Sequence, residues 1–293
     1  MSDSLESFEE LRPGLFRLAY RMLGTCADAD DVMQDAYLRW SKVDPAEVRS
    51  SQAFLNSVVT RLCIDRRREI ESRKETYVGP WLPEPIVETD WSSGANRLDV
   101  AESVSMALMH VLETLTPVER AAYLLRQIFD YDYAEISEIL GKSPSNCRQL
   151  VSRAESHVDS ERPRFDSTPD EVERISEQFL QTCATGDLEG LVRLLADDVI
   201  IYSDGGGKAV AALRPLVGVD SASRFLIGIF KKRGPRVDVT RVRVNGQPGF
   251  AAFDAGKLVT LWTMHFTDKR IRRCFLFRNP DKLARARITL GCE

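Results

Sequence analysis

A chain of 293 residues is longer than one compact core usually sustains, so more than one folded unit is expected. With 43% hydrophobic and 29% charged residues it has apolar surface to bury and charge to keep it solvated, which excludes wholesale disorder. The net charge of -4 excludes a uniformly basic nucleic-acid binder, but charge is segregated: Arg61 to Lys74 carry six basic and three acidic side chains, while acids dominate the first thirty-five residues.

The N-terminus, Met-Ser-Asp-Ser-Leu-Glu, is acidic where a signal peptide is basic, and no apolar run approaches the roughly 20 residues of a membrane span. A cytoplasmic protein without membrane attachment is expected. The six cysteines, Cys26, Cys63, Cys147, Cys183, Cys274 and Cys292, include no C-x-x-C pair and no histidine stands at ligand spacing from them. Neither a metal site, a disulfide framework nor a cofactor is expected.

In chain order, apolar residues recur at helical spacing from Phe8 to Glu75: Leu11, Leu15, Leu18, Ala19 and Met22, then Val32, Ala36, Tyr37 and Trp40. After a break at Val43-Asp44-Pro45, a third run from Ala53 to Arg73 buries Phe54, Leu55, Val58, Val59, Leu62 and Ile64. An all-helical unit over residues 1–75 follows from this. Residues 76–98 change character, with Gly79, Pro80, Pro83, Pro85 and Gly94 excluding a continuous helix. This linker also holds Tyr77, Trp81 and Trp91, and aromatic rings in a solvated tether are unfavourable, so it is expected to be pinned to a domain surface.

Helical pattern returns over 99–160, where Thr116-Pro117-Val118-Glu119 offers a cap, a proline at the first helical position and an acid in the first turn. A short linker at 161–169 follows. Residues 170–293 open with helical stripes, Val172, Ile175, Phe179 and Cys183, then Leu188 to Leu195. Strand-like segments come next, at Val199 to Tyr202, Val237 to Val244, Gly249 to Phe253, Leu258 to Phe266 and Ile271 to Phe277. Turn signals at Asn245-Gly246, Asp254-Ala255-Gly256 and Asp268-Lys269 separate the later ones. Helices followed by a curved antiparallel sheet define an α+β domain.

The most informative stretch runs from Asp132 to Ala154. Ala134, Ile136, Ile139 and Leu140 pack one helix, Gly141 permits a sharp turn, and Pro144 opens a second helix whose Cys147, Leu150, Val151 and Ala154 face inward. That is a helix-turn-helix, and its outward Ser145, Asn146, Arg148, Gln149, Ser152 and Arg153 can bond base edges or phosphates from the major groove. On its own the segment also fits a helical hairpin with a polar face. The acidic segment Asp28 to Trp40 and the run Arg66-Arg67-Arg68 read alone as a solvated face and a dipole-stabilised helix end.

Together, these segments resemble the extracytoplasmic-function (ECF) sigma factors over about residues 7 to 158. The resemblance implies that Asp28 to Trp40 docks on core RNA polymerase through Asp30, Asp31, Gln34 and Asp35. It implies that Ala53 to Arg68 opens and reads the minus-ten element of promoter DNA. Capture of an unstacked base would fall to Asn56, Thr60 and Arg61, and a cationic track for the freed strand to Arg66, Arg67 and Arg68. Phe54 stands where many relatives carry tryptophan. The helix-turn-helix would read the minus-thirty-five element.

The C-terminal third, led by Gly186 to Val199, resembles the SnoaL-like branch of the ketosteroid-isomerase superfamily, whose cones enclose an apolar pocket. Tyr202, Asp204 and His265 are the polar groups nearest to a catalytic set, with His265 expected to point inward with Leu261 and Thr263. No catalytic residue is nevertheless expected. Three segments resemble signatures of one sigma group that carries this fused domain: Trp81-Leu-Pro-Glu-Pro85, Asp204-Gly205-Gly206-Gly207-Lys208 and Asn279-Pro-Asp281-Lys-Leu283. In that group the extension regulates the factor in cis. Asp-Gly-Gly-Gly-Lys lacks the spacing of a phosphate-binding loop. The expectation is an intramolecular contact of the cone with the linker or sigma region 2, involving Trp81, Pro83, Asp204, Gly205 to Lys208, Asn279 and Asp281. Basic stretches at Lys231, Lys232, Arg233, Arg236, Arg241 and Arg243 and at Lys269 to Arg273 would complement the acidic N-terminal unit or lie near DNA, and sequence does not decide between these.

Overall fold

The computed structural model describes residues 2–44, 47–88, 105–161, 168–233 and 237–292. Trp91, Gly94 and Arg236, and the sequence-derived boundary at 98/99, lie outside them. The chain divides into two compact units, residues 1–76 with 111–162 and residues 77–110 with 163–293. The two helical segments read as separate domains thus share one unit, and the linker groups with the C-terminal segment.

In the first unit, α1 (Ser2–Leu23), α2 (Cys26–Trp40) and α3 (Ser51–Lys74) bury Leu15, Leu18, Ala19, Met22, Val32, Met33, Ala36, Trp40, Leu55 and Val59 among themselves. Thr25 caps α2 by accepting from the Asp28 amide, and Ser50 caps α3 by accepting from the Ala53 amide. The division between units falls inside α4 (Met106–Leu112). Next comes α5 (Pro117–Gln127), opened by a capping box of Thr116 and Glu119. The helix-turn-helix is α6 (Tyr133–Leu140), boxed by Asp132 and Glu135, and α7 (Pro144–Glu161). Between them Gly141 takes φ +63°, the left-handed conformation that a sharp helix end requires.

The second unit contains the α+β cone. It starts with β1 (Val87–Glu88) from the linker and continues with α8 (Pro169–Thr185), α9 (Leu188–Leu194), β2 (Leu195–Asp204), β3 (Leu216–Val217) and α10 (Val219–Arg233). Four consecutive strands, β4 (Val237–Val244), β5 (Gln247–Asp254), β6 (Lys257–Thr267) and β7 (Arg270–Phe277), precede α11 (Pro280–Leu290). The seven-stranded order is β1-β4-β5-β6-β7-β2-β3, with β2 parallel to β7 and the other pairs antiparallel. The three hairpins close on two-residue turns with positive φ: Asn245-Gly246, Ala255-Gly256 and Asp268-Lys269. Such turns match the right-handed twist of the strands. Register shifts between Ala252 and Phe253 and between His265 and Phe266 bend the sheet.

The concave face, with Phe250, Trp262, Met264, Phe266, Cys274 and Leu276, packs on Ile175, Phe179 and Cys183 of α8 and Leu226 of α10. Period-two alternation places Leu261, Thr263 and His265 on the opposite face. His265 therefore does not point into the cone, contrary to the expectation from sequence. Phe179 is 1% exposed at the centre of this core. Phe179→Ala is expected to remove about 3–5 kcal/mol of stability, measured as the shift of the cone's transition in urea.

Candidate nucleic-acid interface and linker contact

Helix α2 turns Asp31, Gln34 and Asp35 to solvent and leaves Asp30 half-buried. Leu38, one turn further, is 56% exposed on the same stripe, a feature that the spacing 31, 34, 35, 38 carries and that a search for acids alone overlooks. Asp31 accepts a 2.9 Å ion pair from Arg66 of α3, which also holds Asp28 at 2.9 Å and Glu69 at 3.1 Å. All six outward residues of α7, Ser145, Asn146, Arg148, Gln149, Ser152 and Arg153, are exposed, while Cys147, Leu150, Val151 and Ala154 are buried.

The face of α3 that carries Asn56, Thr60 and Arg67 is arranged differently. Asn56, Thr60, Cys63 and Arg67 recur at helical spacing and all are buried. Asn56 Nδ2 donates to the Tyr131 hydroxyl at 2.6 Å, and Thr60 Oγ1 has no hydrogen-bond partner among the described residues. Arg61 donates to the Glu138 and Ile139 carbonyls at 3.0 Å each, satisfying the last turn of α6, whose carbonyls have no partner within the helix. Of the three arginines expected to form a cationic track, Arg68 is exposed beside Asp65 at 3.1 Å, Arg66 is engaged as above, and Arg67 is fully buried. The arginine run is thus not one solvated track, because the helical period sends its middle member into the interior.

Arg67 is held there by Glu113, between α4 and α5. Its two terminal nitrogens lie 3.2 and 3.0 Å from the carboxylate oxygens, and one also donates to the Leu23 carbonyl. Arg120 reaches the same carboxylate at 2.9 Å and the Arg21 carbonyl at 2.7 Å, and Lys74 completes the cluster. Burial alone would raise the Glu113 pKa, but Arg120, Arg67 and Lys74 together hold it well below the usual carboxylate range. Burial lowers Lys74 to about 8 against the pull of Glu113, and lowers Arg120 to about 10 with Arg67 adding to the effect.

In the second unit, the linker from Tyr77 to Glu88 lies along the cone. Asp204, at the end of β2, is fully buried. Its carboxylate accepts from the Tyr77 hydroxyl at 2.5 Å, the Leu82 amide at 2.9 Å and Lys282 Nζ at 2.6 Å, while its carbonyl accepts from the Arg278 and Asn279 amides at 2.7 and 2.9 Å. Burial and the hydrogen bond to Asp204 push the Tyr77 hydroxyl pKa up, so it stays a donor. Lys282 also donates to the Leu82 carbonyl and lies 3.7 Å from the Trp81 ring centroid and 4.9 Å from that of Tyr77. Asn279 Nδ2 donates to the Tyr77 hydroxyl at 2.8 Å, and Lys208 pairs with Asp281 at 2.5 Å. A Cβ on Gly206 would sit 2.3 Å from Asn279 Nδ2 and 2.9 Å from the Tyr77 hydroxyl, and one on Gly205 would sit 2.3 Å from the Ala209 carbonyl oxygen, which accounts for those glycines. Gly207 takes φ +72° with Val78 beside it. Pro83 is buried, and Val87 and Glu88 pair with Val244 and Arg243. Sequence reading singled out Trp81, Asp204 and Asn279 and expected Tyr77 to dock with the linker, but it assigned Tyr77 no partner and passed over Lys282.

The structure does not bring Tyr202, Asp204 and His265 together at the cone interior. Tyr202 stacks on Phe275 and meets His110 on the opposite sheet face, and burial beside Arg273 and Arg272 lowers His265 to about 3, leaving it neutral. The interior space, lined by Phe179, Leu226, Ile229, Phe230, Trp262, Cys274 and Leu276, amounts to ≈ 10 Å³, room for no more than one water. Among the described residues no three His, Cys, Asp or Glu side chains are placed to hold a metal, and no helix is long and apolar enough to cross a membrane.

Family comparison covers both helical segments of the first unit. Residues 7–73 match the model of sigma-70 region 2 and residues 105–158 that of sigma-70 region 4. The ECF RNA polymerase sigma factor SigJ of Mycobacterium tuberculosis is 38% identical over 256 residues, covering 86% of this chain and 81% of that protein. The probable ECF RNA polymerase sigma factor SigI of the same species is 27% identical, covering 96% and 94%. A crystal structure of M. tuberculosis SigJ superposes with a TM-score of 0.77 at 33% identity, covering 96% of this chain and 98% of that one. The chain belongs to the ECF RNA polymerase sigma factors.

The Glu113 cluster yields a stability prediction. A carboxylate whose pKa is lowered by folding contributes stability above its ordinary value of 4.5, and that contribution is lost as pH falls through the lowered one. Glu113→Gln removes the carboxylate shared by the buried Arg67 and Arg120, leaving Arg67 only the longer 3.7 Å contact to Glu71, and is expected to cost about 3 kcal/mol at neutral pH. It should also flatten the acid limb of the melting temperature against pH relative to the unmodified chain.

Proposed function

We propose that this sigma factor binds core RNA polymerase through the exposed stripe of α2, with Asp30, Asp31, Gln34, Asp35 and Leu38. It handles the minus-ten element with α3, reads the minus-thirty-five element with α7, and rests in a conformation in which α3 is stored against region 4. One observation carries the resting state: Asn56, Arg61 and Arg67 each bond to a region 4 group, and the buried Thr60 hydroxyl has no hydrogen-bond partner among the described residues. An unpaired hydroxyl is costly inside a permanent interface and intelligible on a surface shaped for another ligand. Promoter opening requires region 4 to leave this face.

Regulation in cis is assigned to the linker contact around Asp204. The linker residues that grip the cone are flanked in sequence by the Glu113 cluster: Lys74 precedes Tyr77 by three residues, and Glu113 follows His110 by three. Seating the linker on the cone therefore constrains both chain segments that carry the stored state. No ligand turnover is assigned to the cone, since its interior is filled by aromatic and aliphatic side chains.

Point variants test this more cleanly than removal of residues 169–293, which strips cover from the buried linker residues Leu82 and Val87. Asp204→Ala and Lys282→Met are expected to raise output from a pool of promoter fragments in transcription reconstituted with core polymerase. Retention on core polymerase in a pull-down should stay unchanged. Output equal to that of the unmodified chain would remove the regulatory role, and loss of polymerase binding would remove the assignment of docking to α2 alone.

A further inference from the structure

Three helices of region 4 converge on one aromatic ring. Tyr133, the first residue of α6, has the Arg148 guanidinium of α7 at 4.8 Å from its ring centroid and that of Arg126 of α5 at 5.3 Å. The ring is anchored, because it packs against both hydrophobic clusters of the helix-turn-helix, the one around Ile136 and Cys147 and the one around Leu150 and Val151. Arg126 is anchored as well: it donates to the Tyr131 carbonyl at 3.0 Å and lies 3.7 Å from Asp130. Of the three, Arg148 alone is exposed, on the outward face of the helix that enters the groove.

An exposed arginine ordinarily samples many rotamers, and bidentate recognition of guanine O6 and N7 needs its planar fork at one position and tilt. A fixed aromatic face supplies that restraint through the attraction of the guanidinium to the ring, at an angle set by α6 and not by α7 itself. We propose that Tyr133 is a positioning residue for promoter reading, holding Arg148 so that it recognises one guanine of the upstream promoter element. This rests on α7 being the reading helix.

The experiment is selection from a duplex pool randomised across the upstream element, by the full-length chain assembled with core polymerase, followed by sequencing of bound fragments. Arg148→Ala is expected to lose the guanine preference at one position by about tenfold or more, the worth of a bidentate pair. Tyr133→Met, which keeps bulk without an aromatic face, should weaken the same position by about threefold to tenfold and leave the others unchanged, while Tyr133→Phe keeps it. Arg148→Lys, a point charge without a planar fork, should lose it as Arg148→Ala does. Melting temperatures of the Met and Phe variants should agree, which separates positioning from folding.

If Arg148→Ala changes one position and Tyr133→Met changes none, Tyr133 does not position it. If Tyr133→Phe weakens the position as much as Tyr133→Met, the ring face is not the cause and the proposal falls. If Arg148→Ala reduces binding evenly at all positions, Arg148 is a phosphate contact and the premise about its reading role fails instead.

Discussion

One carboxylate organises the first unit. Glu113 pairs with both Arg67 and Arg120, two guanidiniums that are almost without solvent exposure, and draws Lys74 to the same place. Both arginines also donate to carbonyls in the last turn of α1, Arg67 to Leu23 and Arg120 to Arg21. A helix end that would otherwise need water is thus capped by one side chain from region 2 and one from region 4. A buried charge cluster is weak evidence for net stability, since desolvation offsets much of the attraction. Its effect is better described as specificity: α3 meets region 4 in one register, because any other leaves a charge buried without its partner. Glu113 is the one acid that meets all three cations, Glu71 adding only a 3.7 Å contact to Arg67, which makes the cluster dependent on Glu113 more than on any single base.

The second unit repeats the device with different partners. Asp204 is fully buried and saturated by a hydroxyl, an amide and an ammonium, and the ammonium is roofed by Trp81 and Tyr77. The aromatic residues make burial of Lys282 tolerable, because ring faces replace part of the hydration it gives up. Two of the three partners of the carboxylate come from the linker, so that linker is an integral part of the cone's fold. Without it the Asp204 carboxylate would lose two of its three partners, and β4 would lose the strand on its outer side.

Features whose cause is local were legible in the sequence. The helix-turn-helix follows from helical period, a glycine that adopts positive φ and a proline at the start of α7. The hairpins follow from Asn245-Gly246, Ala255-Gly256 and Asp268-Lys269. The burial of Arg67 was not legible, because its partner Glu113 lies 46 residues away and three consecutive arginines look alike until a distant acid selects one. A signal did exist in the series Asn56, Thr60, Cys63, Arg67 and Lys74, whose helical spacing marks a polar stripe distinct from the apolar one through Leu55 and Val59. Lys282 was passed over for the same reason: it sits within a noted motif, but a lysine at a helix start reads as surface until a buried aspartate claims it. The inward orientation expected for His265 failed because alternation tells which residues share a face and not which face is concave.

The two DNA-handling elements of the first unit are in opposite states, and that asymmetry implies an order of events. Helix α7 exposes its six outward residues, with Arg148 over the Tyr133 ring and Arg153 3.7 Å from Glu119, whereas Asn56, Arg61 and Arg67 of α3 are bonded to region 4 groups. If α7 reads double-stranded promoter DNA as proposed, it would do so without disturbing Asn56, Arg61 or Arg67, and duplex recognition would not await rearrangement. Strand capture on α3, as proposed, would displace Tyr131 and the C-terminal carbonyls of α6, groups that belong to the same helical module as α7. On the roles proposed for α3 and α7, an unstacked base would reach α3 only after region 4 has moved, which would make melting the controlled step and duplex reading the permissive one.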